Sequence, residues 1–198
     1  MRLRTRGVAA AAAAVLAVTG LAACRTNVGV AATVEGHRIT ESDVNQYVTA
    51  KSEPLKSTTQ SGATESIAPK PFVLNILIKQ RLYTALLKKT PKGMPSDGEI
   101  AAAVQSELKG RSYRAVAEGL GVKGYTAAFD QLIVEFGALG GRLDSDVQSG
   151  VDVSGIAAKL KFPVSVNPRY GTWSPKQFNL TSDATAGLPS FVTLQPTG

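Results

Sequence analysis

His37 is the only histidine in the chain and lies in the stretch ATVEGHRITESDV, residues 32–44. A histidine base is the centre of Ser-His-Asp and Cys-His hydrolysis, where it needs a nucleophile within hydrogen-bond reach and a third group to orient it. No second histidine accompanies it, and the flanking pattern of Gly36, His37, Arg38 and the cap-forming Thr40 reads as an exposed turn between two brief strands. Zinc sites draw on several His and Cys ligands, which this chain lacks. Asp144, Asp146 and Asp152 are spaced vaguely like a calcium loop, but Ser149 and Gly155 occupy the positions that need glycine and glutamate. They read instead as a solvated polar connection. The glycines of GALGG at 137–141 fall within a helical pattern, where a bend or cap is expected rather than a phosphate cradle. No catalytic residue, metal site, cofactor or small-molecule substrate is expected from this inventory.

Cys24 is the only cysteine, so no disulfide can form within the chain. Arg2, Arg4 and Arg6 precede an uncharged, alanine-rich run from Gly7 to Ala23, the pattern of a secretory signal and shorter than a membrane span of about 20 residues. The run closes on Leu21-Ala22-Ala23-Cys24, which resembles the lipobox of bacterial lipoproteins. That resemblance implies a signal peptide over 1–23, diacylglycerol on the Cys24 thiol, cleavage before it, and tethering to the outer face of the cell membrane. Loss of residues 1–23 removes three arginines and no acids, leaving 19 basic against 15 acidic residues over 175, so net charge falls from +7 to +4. A modest positive excess suits a surface near anionic lipid, and no run of basic residues interleaved with aromatics points to nucleic acid.

The elements that would carry any function are mainly helical. After a tether over 24–29, Val30–Val34 and Arg38–Ile39 read as short strands around Glu35-Gly36-His37. Thr40 and Asp43 form a capping-box pattern opening a first helix over about 41–50. The polar, Ser/Thr-rich stretch 51–70 reads as a mobile loop. PFVLNILIKQRLYTALLKK, from Pro71, is the strongest helix, and Ser96-Asp97-Gly98-Glu99 opens another through about Leu108. Shorter or weaker helical patterns follow over 112–120, from Tyr125 onward, and over 152–161. Val164–Asn167 returns to alternation and is expected to pair with Val30–Ile39, bringing the ends of the domain together. Residues 174–198 read as a flexible tail. The expected fold is a mainly α domain over 30–173 with a small antiparallel β-segment joining its two ends.

The apolar sector of the 71–89 helix is wider than packing against one neighbour requires. It serves as the central helix of a bundle, or part of its face, with Phe72, Ile76, Leu82, Tyr83 and Leu86, lines a groove for extended polypeptide. Three segments in order, VEGHRITESDV, PFVLNILIKQRLYTALL with the Ser-Asp-Glu start after it, and VSVNPRYGTW, resemble the N-terminal domain of the SurA/PrsA family of extracytoplasmic folding factors. The resemblance covers residues 30–173. Many members insert a parvulin-type isomerase domain among the late helices, and no such insertion fits between Tyr125 and Lys161. It therefore implies a SurA N-terminal-like, chaperone-like domain that binds unfolded or exported polypeptides without isomerase activity. The alternative is an adaptor lipoprotein holding one folded envelope partner, with Arg169-Tyr170-Gly171-Thr172-Trp173 as its edge.

Overall fold

The computed structural model describes residues 29–58, 64–175 and 178–181. The expected signal peptide, Cys24, the expected tether as far as residue 28 and the expected tail beyond residue 181 lie outside them.

Strand β1 (Val30–Val34) and strand β2 (His37–Thr40) form a hairpin in which Val34 faces His37. Both turn residues have positive φ, Glu35 at 50° and Gly36 at 80°, the conformation that matches the twist of a two-residue hairpin. His37 is exposed at the start of β2. Thr40 then caps α1 (Glu41–Asn45): its hydroxyl accepts from the Asp43 N–H, while Asp43 Oδ2 accepts from the Thr40 N–H at 2.7 Å. The helix stops at Asn45 rather than near Ala50. The chain after it is captured elsewhere: Thr49 Oγ1 and Ser52 Oγ both donate to the Gly124 carbonyl, and Thr126 N–H donates to the Tyr47 carbonyl. Gly124 has φ +76°, and a Cβ there would lie 1.9 Å from the Lys51 carbonyl oxygen, so the close approach requires glycine.

The stretch expected as a mobile loop holds a hairpin instead. β3 (Leu55–Thr58) pairs antiparallel with β4 (Thr64–Ile67), with Leu55 buried and opposite Ile67. Threonine suits extended backbone, and the apolar pair at the base, buried Leu55 and half-buried Ile67, packs against the core.

Four helices build the body. α2 (Pro69–Leu87) starts with prolines at its first turn, where the missing N–H groups cost nothing. α3 (Asp97–Leu108) has the Ser96–Glu99 capping box, and α4 (Tyr113–Gly119) is capped by the Ser112 hydroxyl. α5 (Ala127–Gln148) runs unbroken through Gly137, Gly140 and Gly141, where a bend was expected. Its Phe129, Ile133 and Phe136 are buried, and this apolar seam carries the helix past the weak positions. Asp146 corrects the solvated reading of that region. It is fully buried in α5 and bonds Arg142 at 3.2 Å and Lys92 at 3.5 Å. Asp152 caps the short α6 (Val153–Leu160) by accepting from Gly155 N–H at 2.7 Å.

β5 (Val164–Val166) returns to β1 antiparallel, with Ala32 opposite Val166, giving the sheet order β2–β1–β5. The expected closure of the two ends is present, and Asn167 Nδ2 reinforces it by donating to the Val30 carbonyl at 3.3 Å. Pro168–Tyr170 forms a 3-10 turn rather than extended chain. The tail then departs from expectation. β6 (Thr172–Ser174) pairs with β7 (Asn179–Thr181), so residues up to 181 belong to the fold. β7 is held by α2: Asn75 Nδ2 donates to Asn179 Oδ1 at 2.7 Å, and Leu180 N–H donates to Asn75 Oδ1 at 3.1 Å. Both asparagines are buried, so each satisfies the other's need for a partner.

Asn75→Ala strands a buried amide and a backbone N–H and is expected to cost roughly 1–3 kcal/mol. Hydrogen exchange at Leu180 should rise well before that of α5; unchanged protection there would contradict the clamp.

Candidate functional site

α2 decides where a functional surface can be. Its neighbours are α1, α5, α6, β1, β2, β7 and the 3-10 turn. The five side chains proposed from sequence to receive a client, Phe72, Ile76, Leu82, Tyr83 and Leu86, are all at 2 % exposure or less. They do come together, but as core. Phe72 meets Tyr125 and Phe129 edge-on at 6.0 and 5.7 Å, and Tyr83 stacks on Phe136 at 4.9 Å. The wide apolar sector is consumed by neighbours on several sides, which the sequence pattern reports as width without naming what fills it. An aspartate at 82 or 83 would bury an unpaired charge and unfold the domain rather than test a surface.

The same enclosure takes in Lys79, fully buried in the middle of α2. Burial pulls its ammonium down to about 7 from an ordinary 10.5, because the charged form loses hydration. Burial also raises the hydroxyls of Tyr83 and Tyr125.

One stripe of α2 escapes. Leu77, Gln80, Arg81, Thr84, Ala85 and Lys88 recur at helical spacing and face solvent, wholly or in part. They form one wall of an open groove of about 600 Å³. The facing wall is built from Val34, Glu35, His37 and Ile39 of the β1–β2 hairpin and from Asp43, Gln46 and Tyr47 of α1 and its following turn. Leu160 contributes from the end of α6. Its floor and walls are mixed: Leu77, Ala85, Tyr47 and Leu160 are half-buried apolar surface, while Arg81, Lys88, Lys89 and His37 stand exposed at the rim. Burial together with the nearby carboxylates of Asp43 and Glu135 raises the Tyr47 hydroxyl. From Leu77 to Lys89 the wall rises about 18 Å, the length of roughly five extended residues.

This groove lies on the far side of the helix from the face named in the sequence. Its signal in the sequence was the polar residues Gln80, Arg81, Lys88 and Lys89, whereas Lys79 in the same polar break is buried on the other face. His37, set aside for catalysis, joins it as a rim residue with no nucleophile beside it. A second, smaller hollow of about 370 Å³ lies over Gly137 and Gly141 between α4 and α5.

Among the described residues no three His, Cys, Asp or Glu side chains converge, and no helix is long and apolar enough to cross a membrane. Compared with protein-family profiles, characterised proteins and solved structures, the chain matches none.

Lys79 provides a test of the enclosure on which this geometry rests. Between pH 7 and about 10 the unfolded chain holds a proton that folded Lys79 has released, so stability climbs with pH across that window. Below pH 7 the penalty is fully present. Above about 10 the raised tyrosines reverse the trend, because the unfolded chain ionises first. Lys79→Met should flatten the climb in urea unfolding. Parallel pH profiles for the two proteins would contradict the burial.

Proposed function

We propose that the protein is an exported, lipid-anchored module that holds extended or unfolded segments of other exported polypeptides and performs no chemistry on them. The observation that carries this reading is the open groove along α2, long enough for about five extended residues and floored by half-buried Leu77, Ala85 and Tyr47. Such a surface recovers hydrophobic energy from a client's apolar side chains while staying wet enough at its rim to release them. The chain already holds one extended segment on this helix, through the Asn75 grip on β7.

The order of hairpin, long helix and returning strand supports a SurA/PrsA-type domain without its isomerase. The lipobox-like Leu21-Ala22-Ala23-Cys24 supports anchoring through Cys24. The adaptor reading rested on the edge from Arg169 to Trp173. That edge is partly tied into the fold: Arg169 pairs with Glu41 and lies over the Tyr170 ring, Tyr170 is buried, and Trp173 meets Phe178 at 6.2 Å, while Arg169 and Thr172 stay exposed. The groove, with its half-buried floor of Leu77, Ala85 and Tyr47, is preferred for an extended partner.

The full chain, reconstituted in nanodiscs of neutral lipid, should suppress aggregation of a chemically unfolded model protein at a few-fold excess. Ala85→Asp with Leu77→Gln should lose most of that effect while keeping the parent's cooperative unfolding, with a melting temperature lowered only by the lost packing of Leu77. No suppression by the parent, or equal suppression by the variant, would overturn the assignment.

A further inference from the structure

The open stripe of α2 carries charge of one sign. Arg81 and Lys88 stand on it about two turns apart, and Lys89 follows at the rim. All three are exposed, and none enters an ion pair among the described residues. Among the described arginines, Arg114 meets Asp130 at 2.7 Å, Arg142 meets Asp146 at 3.2 Å and Arg169 meets Glu41, whereas Arg38 and Arg111, like Arg81, enter no ion pair. The two acids of the groove lie on the opposite wall. Asp43 is already engaged, its Oδ2 accepting from the Thr40 N–H and hydroxyl at 2.7 and 2.8 Å. Glu35 sits at the tip of the hairpin turn. The α2 wall is left as a row of cations above an apolar floor, with no acid of its own to balance it.

An extended strand meets both demands at once, because its successive side chains point to opposite faces. Apolar residues can face the floor while carboxylates face the row. Arg81 and Lys88 are about 10 Å apart along the helix axis, so acids two to four residues apart in a strand fall within reach of these long side chains. Anionic lipid is the other source of negative charge, but its headgroups lack the alternation of apolar and acidic groups that the floor and the row together ask for.

We infer that the groove selects extended polypeptide segments that alternate apolar and acidic side chains, with Arg81, Lys88 and Lys89 reading the acids. This rests on the polypeptide-holding function proposed above and names its substrate class.

The test uses three fluorescently labelled peptides of about a dozen residues, identical in their leucines and carrying Glu, Gln or Lys at the alternating positions. Each is titrated by anisotropy against the full chain in neutral-lipid nanodiscs. The Glu peptide should bind about tenfold tighter than the Gln peptide and the Lys peptide weakest, the preference fading at high salt. Arg81→Gln/Lys88→Gln/Lys89→Gln, all at exposed positions, should erase the preference while still binding the Gln peptide. Equal binding of Glu and Gln peptides overturns the acidic selectivity and leaves the holding function standing. Binding of none of the three overturns both. If the triple variant keeps the Glu preference but loses attachment to phosphatidylglycerol vesicles, the cations serve lipid headgroups and the inference falls.

Discussion

The enclosure of α2 is the constraint from which the rest of the structure follows. Nineteen residues of helix are packed by the hairpin sheet on one side, α5 on another, and the closing segments β7 and α6 on others. The burial is complete enough to take in an amide and an ammonium along with the apolar side chains. Asn75 turns that cost into a tie across the chain, since its buried amide is satisfied only when β7 is in place. Lys79 bears the cost as a lowered affinity for its proton. Because so much of the helix is committed, its one open stripe becomes the surface left for a partner.

Local chemistry was legible wherever it was short-range. The Thr40–Asp43 and Ser96–Glu99 boxes, the positive-φ turn at Gly36 and the end of α3 at Leu108 are set by neighbouring residues, and they stand where the sequence puts them. The return of Val164–Val166 to β1 was also readable, from two brief alternating stretches at the two ends of the domain. What failed depended on partners distant in sequence. α1 is cut short because Gly124 and Thr126 take the backbone and hydroxyls of residues 47–52. The β3–β4 hairpin docks through Leu55 and Ile67, paired across it at the two ends of a polar run. β7 is fixed by an asparagine about a hundred positions earlier, which no local pattern encodes.

The candidate site shows the same division. Apolar width along α2 was correctly seen, but width alone does not distinguish a groove from a helix with several neighbours. Phe72, Ile76, Leu82, Tyr83 and Leu86 hold the domain together, and the open groove wall falls on the residues between them, where Leu77 and Ala85 alternate with Arg81, Thr84 and Lys88. Under the proposed function, client holding and stability divide one helix by face. The buried face fixes the hairpin, α1 and α2 relative to one another, and that fixed geometry is what gives the groove two walls.

The central claim, that the groove along α2 is where exported polypeptides are held, is tested most directly by photo-crosslinking in the cell from single positions. A photoreactive side chain at Ala85 lies in the groove, whereas one at Ser106 lies in a separate hollow between α3 and α5. The account predicts a ladder of crosslinks from position 85 to many exported proteins and few or none from 106. Equal labelling from both positions, or a single sharp partner from 106 with none from 85, would contradict it.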